Sequence, residues 1–464
     1  MALSPESPRS ELPLSSDHPA CRAAVRKFFR RMLPLLVFML VINQMDRTNI
    51  GFVQAHLKVD LGIGAAAFGL GAGLFFVGYA LFEVPSNMLL ERFGARVWLT
   101  RIMVTWGIVV VATAFIHNAE TFYFMRFLLG VTEAGFFPGV MYYFTTWLPN
   151  ADRGRATAIF LGGSASAYIV TGPISGALLE LHGAGGLPGW KWMFLLEGAF
   201  SIAVGIAAGF LLVSRVRDAK WLSAEEKSAL SAAIADDQLA RSDADNERIS
   251  RWRLLANPQV LLLCWIFFAM SLTGYAITFW LPSTVAKIGG LSDFQIGLLS
   301  AIPWIIAIAA MYTLAWHTDR TGRRRPWVAV GLVIGALGTL LATTGSPWFG
   351  LAAMCVAATG FKCAASAFWP MTQHNLDLKI AAAGIALINS LGNLGGFFGP
   401  ATLGYFEEAT GSTTGGLYGL SVASLVAAVT VVLVRARTST TVTEPRPATP
   451  PGAATEPGTT TVTS

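Results

Sequence analysis

Residues 43–49 of the chain read Asn-Gln-Met-Asp-Arg-Thr-Asn and lie inside its first long apolar segment. Asp46 and Arg47 are adjacent there, and burying a carboxylate and a guanidinium in hydrocarbon is energetically costly. Charged groups that remain at such a depth are by default candidates for function. This stretch therefore marks both a membrane helix and a candidate working site.

The composition indicates a chain that folds in a lipid bilayer. It has 464 residues, of which 54% are apolar and only 13% are charged, about half of the charged share of a typical soluble protein. Twelve apolar stretches are long enough to cross about 30 Å of hydrocarbon as helices. We predict an all-α integral membrane fold with twelve transmembrane helices. The predicted spans are 32–53, 66–89, 98–118, 121–147, 155–180, 191–213, 258–281, 293–316, 326–345, 347–370, 379–406 and 414–434.

A polar stretch divides six spans from six. We predict a cytoplasmic tail over 1–31, a six-helix half over 32–213, a cytoplasmic loop over 214–257, a second six-helix half over 258–434 and a disordered cytoplasmic tail over 435–464. Within the loop, Ser223 followed by Glu226 is typical of a helix N-terminus, because the two side chains can cap each other's backbone amides. A surface helix is expected there.

Basic residues predict the orientation. Of the 33 Lys and Arg residues, all but a few fall in the tails and in alternate loops, and positive residues are retained on the cytoplasmic side of a membrane. We therefore expect both termini in the cytoplasm. The protein itself is expected in the plasma or inner membrane of the cell. The net charge of +6 then reflects this bias and contact with anionic lipid, and no nucleic-acid binding is expected.

Enzyme and cofactor chemistry are not indicated. The four cysteines and six histidines are scattered without the spacing of metal ligands. No nucleophile, base and orienting partner recur together at membrane depth, so the sequence predicts neither a metal, a cofactor nor an enzyme.

A short loop motif occurs once in each half. Residues 87–96 read NMLLERFGAR and residues 315–324 read AWHTDRTGRR, each with an acid, an arginine, a glycine and a further basic residue. Glycine permits a tight reversal, while the charges can pair across helix ends and stabilise one conformational state. We predict a role in conformational gating for these residues: Glu91, Arg92, Gly94, Arg96, Asp319, Arg320, Gly322 and Arg323.

With these loops the chain resembles the major facilitator superfamily, which has two pseudo-symmetric six-helix halves. Further motifs are similar to one branch, the anion:cation symporter family, and they follow its order over roughly residues 40–400. They are DRTNIG at 46–51, EVPSN at 83–87, EAGFFPG at 133–139, WKW at 190–192, FWLP at 279–282 and INSLGN at 388–393. The resemblance implies proton-driven uptake of a small organic anion, such as an aromatic or sugar-derived carboxylate, by a protein that we expect to be monomeric.

The residues allow the same interpretation. Arg47 lies about 15 residues into the first span, roughly 22 Å along a helix, and its guanidinium fork matches a carboxylate. Glu133 reaches a similar depth from the opposite side, so it is the first candidate for the proton carrier. Asp46 points about 100° away from Arg47 around the helix and is either a structural partner of Arg47 or a second proton-coupling residue.

Other intramembrane polar residues leave alternatives open. Arg126 can pair with Glu133 and bind substrate, or extend to the interface, and Glu197 favours a structural role. The remaining candidates for substrate binding are Tyr79, Tyr275, Asn389 and Asn393, although asparagines also join helices. A drug or metabolite exporter and an uncoupled anion exchanger remain alternatives on the same fold.

Overall fold

The computed structural model describes residues 18–242, 257–376 and 378–434, and this part of the chain is almost wholly helical. In chain order the helices are α1 (Pro19–Arg31), α2 (Leu33–Thr48), α3 (Ile50–Leu61), α4 (Ala65–Phe93), α5 (Ala95–Thr113), α6 (Ala119–Glu133), α7 (Phe136–Trp147), α8 (Asn150–Leu179), α9 (Gly189–Leu211), α10 (Ala224–Ser242), α11 (Pro258–Ala286), α12 (Asp293–Thr321), α13 (Arg325–Leu341), α14 (Pro347–Asn375), α15 (Leu378–Asn393), α16 (Gly395–Thr410) and α17 (Thr414–Leu433).

Twelve crossings are present in the described residues, but they are built in different ways. Eight helices are each long and apolar enough to span a membrane, and α13 is a shorter apolar helix. The other three crossings are helix pairs, α2–α3, α6–α7 and α15–α16. The predicted end of the first span at residue 53 is wrong, because α3 continues to Leu61 and ends only where Gly62 adopts a left-handed φ of 66°.

The break between α6 and α7 has a local cause. Gly135 has φ 90°, a conformation that side chains other than glycine rarely adopt, and Pro138 has no amide hydrogen to continue the helical ladder. The carbonyl of Ala134 instead accepts a hydrogen bond from Ser86 Oγ at 2.6 Å. Glu133 is the last residue of α6, so the position of its side chain depends on this break in the helix.

Glycines let the helices approach closely. A Cβ at Gly130 would overlap the backbone of Phe75 and Tyr79, so α4 and α6 pack with their backbones almost in contact. Gly172 and Gly297 do the same between α8 and α12, which belong to different halves. Six further glycines lie where an added Cβ would meet a residue of another helix, namely Gly69, Gly71, Gly73, Gly392, Gly395 and Gly396.

One face of the bundle, here called the basic face, carries α1 and α10. The predicted capping at the start of α10 is confirmed, since Ser223 N donates to Glu226 Oε2 at 2.8 Å and Glu226 N donates to Ser223 Oγ at 3.1 Å. Lys27 of α1 forms an ion pair with Glu226 at 2.8 Å, and this hydrogen bond lowers the pKa of the Glu226 carboxyl. Residues 19–31 of the predicted tail are thus a helix docked against α10.

The two halves are joined by polar contacts at the face opposite the basic face. His56 Nε2 lies 3.2 Å from Asp293 Oδ1, and Phe294 N donates to Glu180 Oε1 at 3.2 Å. At the same face, α4 and α16 are joined because Ala66 N donates to Glu408 Oε2 at 2.8 Å. These contacts connect α3, α4 and α8 of the first half with α12 and α16 of the second, so the bundle is closed at this face.

Candidate substrate and proton site

Arg47 and Glu133 form a direct ion pair in the middle of the bundle. Arg47 lies in the last turn of α2 and Glu133 at the end of α6, and Arg47 Nε donates to Glu133 Oε1. The Glu133 side chain is wholly buried, whereas 14% of the Arg47 side chain is accessible. A guanidinium and a carboxylate that neutralise each other can separate when the carboxylate takes up a proton or when a competing anion arrives.

Aromatic rings of α4 surround the guanidinium groups. Arg47 Cζ lies 5.1 Å from the centroid of the Phe75 ring and 4.8 Å from that of Tyr79. Arg126 Cζ lies 5.3 Å from the same Phe75 ring, so this ring contacts both cations. Cations are attracted to the faces of aromatic rings, which holds them in place without neutralising them.

Arg126 does not extend to the membrane interface, because only 2% of the residue is exposed. Its Nε and Nη2 atoms are buried without a hydrogen-bond partner among the described residues, as is Glu133 Oε2. Buried donors without partners are destabilising, and here they lie beside the Arg47 ion pair. The site therefore has free hydrogen-bonding capacity that an anionic ligand can use.

Asp46 faces away from Arg47. Its Oδ2 accepts hydrogen bonds from Trp106 Nε1 and from Ser201 Oγ, each at 2.8 Å. The structural pairing of Asp46 with Arg47 that the sequence left open is not observed, because their positions on α2 point them to different helices. The Asp46 Oδ1 atom is buried without a partner among the described residues, so it can be protonated without breaking a hydrogen bond.

Glu197 belongs to a polar network of the first half. It accepts hydrogen bonds from Asn49 Nδ2 at 2.5 Å and from Ser175 Oγ at 3.0 Å. Asn49 is the residue at the break between α2 and α3, so this network fixes the break against α8 and α9. A fully hydrogen-bonded carboxylate in this position agrees with the structural role that was favoured for Glu197.

The second half supplies one tyrosine to the Arg47 site. Tyr275 of α11 packs against Phe76 of α4 with the ring centroids 4.4 Å apart, and Phe76 follows Phe75, whose ring contacts Arg47. Asn389 and Asn393 are half-buried on α15. No contact joins either asparagine to Arg47 or Glu133 within residues 18–242, 257–376 and 378–434.

Lys362 was not singled out from the sequence as a site residue. It lies near the middle of α14 with its Nζ 4.1 Å from the centroid of the Tyr168 ring and 5.5 Å from that of Trp304. The signal that could have identified it is simple, since it is a charged residue in the middle of an otherwise apolar helix.

The two loop motifs have similar backbones but different contacts. Gly94 and Gly322 both have positive φ, at 85° and 67°. Arg96 Nε donates to the Gly209 carbonyl of α9 at 2.6 Å, whereas Asp319 pairs with Arg324 at 3.5 Å. Glu91 is exposed, and no ion pair to it occurs among the described residues, so only the second copy shows an acid paired with an arginine.

The remaining residues of the motifs lie at the basic face. Arg92 Cζ lies 5.6 Å from the Phe93 ring centroid and Arg320 Cζ lies 3.8 Å from that of Trp316. Arg323 lines a surface pocket together with Trp327. Arg92 and Arg320 thus contact aromatic rings at the ends of their own helices.

Comparison with known proteins agrees with this architecture. Residues 36–400 match the sequence profile of the Major Facilitator Superfamily. A putative tartrate transporter of Agrobacterium vitis is 41% identical over 89% of this chain and 95% of its own length. A quinolone resistance transporter of Acinetobacter baumannii is 39% identical over the same shares.

Among solved structures, a bacterial homolog of the human lysosomal transporter Spinster in an inward-facing and unoccupied conformation aligns with a TM-score of 0.70. It is 17% identical and covers 90% of this chain and 95% of the other. The likeness therefore concerns the fold.

Proposed function

Because this chain belongs to the major facilitator superfamily, we propose that it takes up a small organic carboxylate by proton symport through alternating access. Its family consists of multi-pass membrane transporters and not of enzymes. The observation that carries the proposal is the buried Arg47–Glu133 ion pair, with the unpaired donors of Arg126 beside it.

The ion pair provides a cause for coupling. While Glu133 is charged it occupies Arg47, and it also repels an incoming carboxylate. A proton on Glu133 removes both effects, so Arg47 becomes free to bind the anion with its fork of donors. By thermodynamic linkage, bound anion then favours the proton to the same extent. Asp46, whose Oδ1 atom has no hydrogen-bond partner among the described residues, is proposed as a second proton-coupling residue.

The substrate chamber is proposed to lie between the halves around Arg47. Tyr79 lies against its guanidinium, and Arg126 contacts the same Phe75 ring as Arg47. Tyr275, Asn389 and Asn393 would complete the wall as the halves rock. Discontinuous helices are a common way for transporters to place polar groups at mid-depth, and α2–α3 and α6–α7 are such helices. The loop motifs at the basic face would stabilise one state of this rocking motion.

Orientation and location are also proposals. The excess of basic residues at one face supports a cytoplasmic position for both termini, in the plasma or inner membrane, with the protein acting as a monomer. The name of the Agrobacterium relative makes tartrate a candidate substrate. The name of the Acinetobacter relative supports the alternative of an exporter on the same fold.

Transport by purified protein in liposomes tests the proposal. Vesicles with an acidic exterior should accumulate members of a panel of labelled carboxylates that includes L-tartrate, and a protonophore should abolish accumulation while leaving counterflow intact. Accumulation that ignores the pH gradient would contradict proton symport. Export of cationic drugs without any uptake of acids would favour the alternative.

A further inference from the structure

The second half carries one charged side chain at mid-depth in its described residues, Lys362. From Pro347 to Trp369, α14 contains no other charged residue. A lysine at such a depth is costly unless it lines a cavity or has a counter-ion. Its surroundings therefore decide what it does.

Three aromatic rings form a cage around the Lys362 ammonium group. Its Nζ lies 4.1 Å from the ring centroid of Tyr168, 5.5 Å from that of Trp304 and 5.4 Å from that of Phe361. The Tyr168 and Trp304 rings are themselves packed with their centroids 4.5 Å apart. The cage thus includes α8 of the first half and α12 and α14 of the second.

Lys362 has no negative counterpart in the part of the chain that the structure describes. Aromatic faces attract a cation, but they leave its charge in place, and no carboxylate pairs with it there. Arg47, by contrast, has Glu133. A half-buried cation that is held but not neutralised can still attract an anion from outside the protein.

Tyr168 connects this cage to the Arg47 site. It contacts Lys362 directly, and together with Trp304 it lines a cavity that also includes Thr48, the residue that follows Arg47. The two cations therefore belong to one region at the interface of the halves, Arg47 on the first half and Lys362 on the second.

We propose that Lys362 binds a second acidic group of the substrate and so determines a preference for dianions, with one carboxylate at Arg47 and the other at Lys362. This rests on the proposed uptake of organic acids and specifies its substrate class. A monocarboxylate would occupy Arg47 alone and leave the Lys362 charge unpaired.

Two matched pairs of acids test this inference. L-tartrate and L-threonate differ only in that a carboxylate replaces a hydroxymethyl group, and D-glucarate and D-gluconate differ in the same way at six carbons. Binding to purified full-length protein is measured by competition or by thermal shift. The wild type should bind the diacid of at least one pair about tenfold or more tightly than its monoacid.

Substitution of the lysine should remove this preference selectively. In Lys362→Met the affinity for the diacid should fall at least tenfold, while the affinity for the monoacid changes less than about twofold. Lys362→Arg should keep most of the preference because it keeps the charge. The matched control is Lys287→Met, which removes an exposed lysine at the end of α11 and should leave both affinities unchanged.

The outcomes separate this inference from the function on which it rests. Equal loss for both acids of a pair in Lys362→Met would make the cage a structural contact and overturn the inference, as would no loss at all. Should Lys362→Met fail to fold, wild-type protein that binds monoacid and diacid equally would overturn it without any variant. Wild-type protein that binds none of the four acids and transports no carboxylate would contradict the proposed function itself.

Discussion

The two halves of this transporter share a helical plan but differ sharply in where they place charge. At mid-depth the first half holds several charged side chains, among them Asp46, Arg47, Arg126, Glu133 and Glu197, whereas Lys362 is the charged residue at that depth in the described part of the second. Pseudo-symmetry of the backbone thus does not extend to the chemistry. Under the proposed function, the first half holds the groups that couple a proton to the anion, and the second half contributes one cation, Lys362.

The difference has a structural basis. In the first half, side chains such as Trp106, Ser175 and Ser201 donate hydrogen bonds to the buried carboxylates, so charge at depth is stabilised. In the second half α13 and α14 pack through glycines, with Gly331 and Gly360 in backbone contact. Glycine packing also occurs in the first half, as at Gly130, so the difference between the halves lies in the side-chain donors that stabilise the buried carboxylates.

The largest change is expected when the guanidinium of the first half is altered. Arg47→Lys keeps the charge but loses the fork of donors, and a charge-assisted hydrogen bond contributes about 1.5–3 kcal/mol. Substrate affinity should therefore fall roughly 10- to 100-fold, as measured by competition binding. Unchanged affinity would remove Arg47 from substrate binding and weaken the contrast between the halves.

A smaller effect is expected for the structural carboxylate of the first half. Glu197→Gln replaces one acceptor by an amide that cannot accept from both Asn49 and Ser175, which leaves a buried donor unpaired at a cost of about 1–3 kcal/mol. Thermal unfolding should begin at a lower temperature, while the ratio of accumulation to counterflow stays at the wild-type value. If coupling is lost instead, Glu197 belongs to the proton pathway.

Substitution of an asparagine on α15 of the second half should change substrate affinity less. Hydrogen bonds between membrane helices average about 0.6 kcal/mol, so Asn389→Ala should change substrate affinity by less than about threefold. The comparison with Arg47→Lys is made in the same binding assay. A loss as large as that of the arginine variant would show that Asn389 contributes as much to substrate binding as Arg47 does.

The smallest effect concerns the docking of α1 on α10 at the basic face. The pKa of Glu226 is lowered by its hydrogen bond from Lys27, so this contact stabilises the folded protein above the ordinary Glu pKa near 4.3 and is lost as the pH falls through the lowered value. Glu226→Gln should remove that part of the acid sensitivity, as followed by thermal unfolding between about pH 3 and 6. An identical pH profile in the variant would show that the ion pair contributes nothing measurable.

The sequence predicts the twelve crossings and the similar depth of Arg47 and Glu133, but not the side chains that surround these two residues. Uncharged stretches predict twelve spans, and the opposite directions of the first and fourth spans predict similar depths for Arg47 and Glu133. Helix rotation is not encoded so directly. Asp46 contacts Trp106 because α2 presents that side to α5, and the cage of Lys362 is formed from three helices far apart in the chain. Such partners depend on packing, which a single sequence does not reveal.

The central claim is that Glu133 blocks Arg47 until it is protonated, and substrate affinity measured as a function of pH tests it most directly. In the wild type, affinity should rise as the pH is lowered and the pair opens. In Glu133→Gln the affinity should be high at every pH, while accumulation driven by a pH gradient is lost and counterflow persists. A variant whose affinity still depends on pH as in the wild type, with accumulation intact, would contradict the account.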